Sequence, residues 1–210
     1  KYPIFNNAYM MTGSHHLYNY LPTKHEKWLT MIKQEIIDSG LIVDILNAKT
    51  MEDVFRLLQG CSFLGSFLAY QYTIDMNYSP YINFSENDFV KAGIGAIRGI
   101  KKCFLCYGNK CEDAIWYVKE HFNDLQKRYG YTSFHPLLGH EPTLIDLQNC
   151  FCETDKYLRA KMPELRIGNV RIKQKYMPHT DPIQFFFPPK WNIVEMYKYK
   201  PIVVPTLFDL

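Results

Sequence analysis

The segment that most constrains this chain is FLGSFLAYQYTIDM, at residues 63–76. It is the most apolar stretch and holds no proline, so it reads as a helix that other elements must surround. Two polar residues within it, Gln71 and Asp75, stand four apart and share one helical face. A helix at the centre of a core does not ordinarily carry such a pair. No apolar run approaches the roughly 18 residues that a membrane span needs.

The flanking segments also read as helices. Residues 25–39 set Trp28, Met31, Ile32, Ile36 and, less regularly, Ile37 along one stripe, with Thr23 as N-cap and Gly40 as stop. Thr50 with Asp53 three residues on is a capping-box start for a helix through Leu58, ending at Gly60. Ser85-Glu-Asn-Asp88 is expected to open a helix that breaks at Gly93-Ile-Gly95, after which another runs towards Phe104. Residues 112–128 are amphipathic, with Ile115, Trp116, Phe122 and Leu125 inward, and residues 143–161 form the last long helix. The expected fold is mainly α, with residues 1–162 as one helical domain.

Beyond Pro163 the texture changes. Seven of the 12 prolines fall there, and Arg166-Ile-Gly-Asn-Val-Arg-Ile-Lys reads as a short hairpin or extended turn. Residues 155–210 carry 10 Lys/Arg against 5 Asp/Glu, whereas residues 1–154 carry 14 against 16. Residues 163–210 are therefore expected to be an extended, Pro-rich basic arm packed on the helical domain. Such an arm allows a polyanionic partner without demanding one.

Composition excludes disorder, since 47% of residues are hydrophobic and only 21% charged. The aromatics, 16% of the chain, divide by position. Phe63, Phe67 and Trp116 are expected in the core. Tyr70, Tyr157 and the 185–187 phenylalanine run are expected near a pocket or on the arm. Six cysteines without regular spacing and without a secretory leader read as reduced thiols, which places the protein inside the cell, in cytoplasm or nucleus. The first residue is not Met, so the chain is expected to be a piece of a longer one.

Gly93-Ile-Gly95 between two helices fits the helix-hairpin-helix pattern, here at residues 85–104. Glycine permits positive φ in a tight turn, and free N–H groups at the next helix start can hold a phosphate oxygen. Arg98, Lys101 and Lys102 would add charge beside it. The competing reading is a helix corner whose glycines, Gly93, Gly95 and Gly99, only permit close packing.

On the last helix Asp146, Asn149, Glu153 and Tyr157 fall on one stripe, bordered by Lys156. Two carboxylates, an amide, a lysine and a phenol there could position a nucleophile and move its proton. A solvated helix face would look the same. His135 and His140 lie just before this helix, in a loop that could close over a pocket. Cys103, Cys106 and Cys111 form C-x2-C-x4-C, which could contribute to a zinc site, but thiols at a helix end also pack well. No cofactor is expected.

Three segments carry a resemblance: Gly65-Ser-Phe67-Leu-Ala-Tyr-Gln71-Tyr-Thr-Ile-Asp75, Ala92-Gly-Ile-Gly-Ala-Ile-Arg98-Gly99-Ile-Lys-Lys-Cys103-Phe104, and Asp146-Leu-Gln-Asn149-Cys-Phe-Cys152-Glu153-Thr-Asp155-Lys156-Tyr157. Together they resemble the helical domain found with 5-hydroxymethyluracil DNA kinases and are similar to the α-glutamyl/putrescinyl-thymine pyrophosphorylases. The resemblance implies a fold like helix-hairpin-helix DNA glycosylases and DNA as partner. It implies that Gly93, Gly95 and Gly99 meet the phosphate backbone. Asp146 becomes the counterpart of the glycosylase aspartate, with Asn149, Glu153, Lys156 and Tyr157 around an extruded base and Gln71 and Asp75 facing the same pocket. The chemistry implied is pyrophosphate displacement at the 5-methylene of a modified thymine, or glycosidic-bond cleavage. No P-loop motif occurs in the chain, so a kinase would be a separate subunit or segment. The alternative from another class is a non-catalytic subunit that binds nucleic acid or protein within a larger assembly.

Overall fold

The computed structural model describes residues 13–131, 134–136, 140–166 and 187–193. Eight α-helices and no β-strand occur among the described residues. Helix α1 (Lys24–Met31) opens on a capping box in which Thr23 Oγ1 accepts from the Glu26 N–H and Glu26 accepts from the Thr23 N–H. It buries Trp28 and Met31 and continues as a wider π-helical segment, Ile32–Asp38. In that segment Glu35 takes hydrogen bonds from Tyr18 Oη (2.5 Å) and the Ser62 N–H (2.7 Å). Gly40 stops the helix in the left-handed region (φ +82°), where other residues are strained. A short helix, α2 (Leu41–Leu46), follows at once; the sequence reading had ended at Gly40.

Helix α3 (Met51–Gln59) has the expected Thr50–Asp53 capping box and buries Met51, Val54, Phe55 and Leu58 at i, i+3, i+4 and i+7. Its buried face meets α4 (Ser66–Asn77), the apolar helix on which the sequence reading began. Helix α4 starts three residues later than expected. Phe63 instead occupies the turn before it with φ +66°, its ring stacked on Trp28 at 5.4 Å. Phe63 is buried as expected, but Phe67, also expected in the core, is 43% exposed. Helix α4 buries Ala69, Tyr70, Thr73, Ile74 and Asn77.

The helix expected from Ser85 does not form. Residues 85–87 instead make a turn in which Ser85 Oγ accepts from the Asn87 N–H (3.1 Å), a local bond that competes with helix. The connection is also clamped by buried Asn77, whose side chain accepts from the Phe84 N–H (2.8 Å) and donates to the Phe84 carbonyl (3.1 Å). Helix α5 (Ile94–Cys103) is therefore preceded by extended chain, and the hairpin expected at 85–104 contains only its second helix.

Helix α6 (Cys111–Glu120) and α7 (Phe122–Arg128) replace the single helix expected over 112–128. The break falls at His121, whose φ of −107° and ψ of 18° leave helical space; its ring nitrogen Nδ1 lies 2.9 Å from the Tyr117 carbonyl. Helix α8 (Leu144–Lys161) is the longest and packs most extensively on α5, with α6 against its other side. Ile100 and Ile115 are fully buried between these helices, each contributing about 1.5–3 kcal/mol relative to exposure.

Of the C-terminal arm only residues 163–166 and 187–193 are described, and the hairpin expected after Arg166 lies outside them. Residues Pro189–Trp191 form one 3-10 turn that docks on the α4–α5 connection. Lys190 Nζ donates to the carbonyls of Asn77 (3.0 Å) and Phe84 (2.9 Å), and Trp191 Nε1 donates to Glu86 (2.7 Å).

Candidate nucleic-acid interface

Most of the sequence-derived candidates lie on α5 and α8, which pack against each other along one seam. Its closeness is set by glycine. A methyl group on Gly99 would lie 2.0 Å from the Phe151 carbonyl oxygen, and one on Gly95 would lie 2.4 Å from Cys152 Sγ. None of Gly93, Gly95 and Gly99 has positive φ, so the turn-forming role expected for the glycines does not hold. Gly95 and Gly99 let the helix backbones approach, the competing reading of the sequence.

Gly93 is the N-cap of α5, and its N–H donates to Gln148 Oε1 of α8 (3.2 Å). Gln148, 2% exposed, passes the connection on by donating from Nε2 to Asn149 Oδ1 (2.8 Å). The start of α5 and the first half of α8 are thus joined by a two-bond polar relay. The first intrahelical bond of α5 runs from the Ile97 N–H to the Gly93 carbonyl. The N–H groups of Ile94, Gly95 and Ala96 are therefore the ones a helix start leaves for an anion. Two apolar side chains stand at this end: Ile94 is 70% exposed, and the exposed Phe67 ring lies against Gly93.

Of the three cations proposed beside this end, Lys101 and Lys102 lie instead in the last turn of α5, and the three fall in different environments. Lys101 is exposed. Arg98 is half-buried, its Nε curled back to the Ile94 carbonyl at 3.2 Å. Lys102 is not a surface cation: its side chain is 3% exposed and its Nζ lies 2.6 Å from Asp155 Oδ1. Asp155 also holds Arg159 Nε at 3.0 Å from Oδ2. A lysine whose side chain is buried against a carboxylate cannot meet a phosphate without breaking that buried pair, so Lys102 leaves the list of DNA contacts.

The polar stripe of α8 divides. Asp146 Oδ2 accepts from the Thr143 N–H (2.8 Å) and the Thr143 hydroxyl (2.9 Å), so this carboxylate caps its own helix. Asp146 also lies close enough to Tyr78 to act on its hydroxyl. That group is pushed well above the usual tyrosine value by burial, then by Glu86, Asp146 and Asp75. Asp75 is itself raised by partial burial. Asp75 is exposed, and Gln71, one turn before it on α4, is half-buried, its Nε2 without a hydrogen-bond partner among the described residues. Further along, Asn149 and Tyr157 are exposed, and Glu153 and Lys156 form an ion pair at 2.5 Å with both side chains more than half exposed. Exposed pairs of this kind contribute between 0 and about 1 kcal/mol.

Two residues that sequence reasoning missed shape this surface. Gln148 had a signal, a polar residue next to Leu147 on the apolar side of the stripe. Asp155 had none, because i,i+4 spacing to Arg159 suits a surface pair as well as a buried one. Cys103 and Cys106 are exposed and Cys111 half-buried; no group of three or more metal-binding side chains comes together among the described residues. Among those residues, too, no helix is long and apolar enough to cross a membrane.

The model of one protein family, the 5-hmdU DNA kinase helical domain, matches residues 1–167. Neither the curated proteins nor the solved structures contain a match to the chain. The family match covers most of the sequence, including every helix described above and the whole α5–α8 seam. The chain belongs to the family of the 5-hmdU DNA kinase helical domain.

Proposed function

We propose that this protein acts on modified uracil of the 5-hydroxymethyluracil type in DNA, as an enzyme or as the subunit that presents the base to one. The family match supports the substrate. The observation that carries the surface is the relay from the Gly93 N–H through Gln148 to Asn149, which holds an anion-attracting helix start rigidly beside the polar face of α8. A DNA strand crossing this seam would set one phosphate at the N-terminus of α5 near Arg98 and another at Lys101 in the last turn of that helix. Phe67 and Tyr157, both well exposed, are suited to stack an unpaired base.

Within this reading Glu153, Lys156 and Asn149 face the base. In displacement at the 5-methylene, an amine nitrogen would bond to the carbon as the C–O bond breaks. Pyrophosphate would leave with the electron pair beside Lys156, and the amine proton would pass to Glu153. In glycosidic cleavage, Asp146 would stabilise the sugar cation, with Gln71 and Asp75 near it. The second reading, a binding subunit without chemistry of its own, is favoured by one observation: Asp146 is already engaged in capping α8.

The test is an electrophoretic shift with duplexes containing 5-hydroxymethyluracil or thymine, followed by nucleoside mass spectrometry of the recovered DNA, with and without a pyrophosphorylated base and an amine. Altered nucleosides support the enzyme. Selective binding with unchanged nucleosides supports the binding subunit, and no binding to either duplex overturns both.

A further inference from the structure

A second polar site lies beside the start of α8, where Thr143, the partner of Asp146, is among its lining residues. The α4–α5 connection, the chain leading into α8 and the docked residues 187–193 enclose an open cleft of about 390 Å³, walled by Phe84, Glu86, Asn87, His140, Glu141 and Lys190. Three buried polar atoms here, Glu86 Oε1, Asn87 Oδ1 and His140 Nε2, take no hydrogen bond from any described residue. Glu86 is 7% exposed, and its other oxygen accepts from Trp191 Nε1 at 2.7 Å. The Tyr78 hydroxyl interacts with the same carboxylate. The His140 ring stacks on Trp191 at 3.8 Å, which fixes the imidazole against one wall.

We infer that this cleft binds a guanidinium group, with Glu86 Oε1, Asn87 Oδ1 and His140 Nε2 as its acceptors. A buried acceptor without a donor is costly, and three in one cleft define a place for a donor-rich ligand. The histidine accepts when its proton sits on Nδ1. Charge excludes an anion. Two carboxylates, Glu86 and Glu141, line the cleft, while the cation present, Lys190, donates to two main-chain carbonyls. A guanidinium carries five N–H donors in one plane, sheds water more readily than an ammonium, and packs flat on an aromatic ring such as Phe84. The group could belong to a small guanidino compound or to an arginine side chain of a polypeptide; the chemistry recognised is the same. The inference does not rest on the DNA-directed reading, which uses the α5–α8 seam.

The Trp191 indole N–H bonds to Glu86, so its nitrogen-15 NMR resonance reports on the cleft directly. Titration with methylguanidinium and with N-acetylarginine methylamide is expected to move that signal saturably, leaving those of Trp28 and Trp116 in place. Equal affinity for the two probes identifies the free compound as sufficient, and a preference for blocked arginine identifies a polypeptide source. Glu86→Gln keeps the shape and the acceptor for Trp191, and should weaken binding about tenfold by removing one charge-assisted bond. Asn87→Asp adds a carboxylate and should tighten it. No saturable shift with either probe overturns the inference, as do equal binding of butylammonium, preferential binding of inorganic phosphate, or unchanged affinity in both variants.

Discussion

Lys102 and Asp155 meet across the α5–α8 seam with Nζ 2.6 Å from Oδ1, both side chains almost wholly buried. Arg159 shares the same carboxylate. Removing one member of a buried pair leaves the other charge without compensation. Asp155→Ala leaves the buried Lys102 ammonium without its carboxylate and is expected to cost about 3–5 kcal/mol in chemical denaturation. Lys102→Met leaves Arg159 in place and should cost less. The double variant Lys102→Met/Asp155→Leu should be more stable than the sum of its single effects, because no buried ammonium is left without its carboxylate.

The glycines of α5 give a second test. Gly99→Ala drives a methyl group into the Phe151 backbone and should destabilise by at least about 1–3 kcal/mol. In Gly95→Ala the closest obstacle is the Cys152 sulfur. Cys152→Ala should therefore recover part of the loss from Gly95→Ala and none of that from Gly99→Ala. Denaturation midpoints of the three single and two double variants decide this; equal rescue of both would show that the seam adjusts by moving whole helices.

Acid sensitivity should have an identifiable origin in Glu112. Burial alone would push its carboxyl up, but the Lys91 ammonium (2.9 Å) and the Ala92 N–H (3.0 Å) outweigh it and hold the group below its ordinary value of 4.5. A carboxylate depressed in the folded state stabilises above its unfolded pKa, and that stability is lost as pH falls through the folded value. Glu112 should thus support the fold at neutral pH and cease to do so below the ordinary carboxylate range. Glu112→Gln should be less stable than the parent at pH 7, with the gap closing in acid. A gap that stays constant with pH would show that the effect is one of packing.

If α5 meets the phosphate backbone, Lys101→Ala should weaken DNA binding about equally across sequences and lower the salt dependence by roughly one unit. Arg98→Ala should act in the same direction. Lys102→Met, assayed under conditions where it is folded, should leave the salt slope unchanged because its charge is internal. A slope altered by Lys102→Met and untouched by Lys101→Ala would reverse the assignment.

Much of the fold was legible because it depends on local order. The N-cap at Thr23, the stop at Gly40 and the capping box at Thr50 are properties of neighbouring residues, and each appears where expected. The errors came where a distant group intervened. The helix expected from Ser85 gives way to a turn, with Asn77 clamping Phe84 next to it, and Phe67 faces out because it lies at the seam, not the core.

Sequence alone determined that this is a helical chain, that Asp146 starts the last helix and Glu153, Lys156 and Tyr157 follow along it, and to which family it belongs. Periodicity and capping are written in residues a turn apart, and the family motifs in runs of adjacent positions. Only the tertiary structure decided which charges remain available. Lys101 and Lys102 are neighbours of identical type, yet one faces solvent and the other Asp155, 53 positions away. Nothing local distinguishes them, because burial depends on which helix lies opposite. The same holds for Gln71 and Asp75, the pair that marked the apolar helix as unusual. Their spacing showed a shared face, and only the fold shows that Gln71 is half-buried while Asp75 reaches solvent.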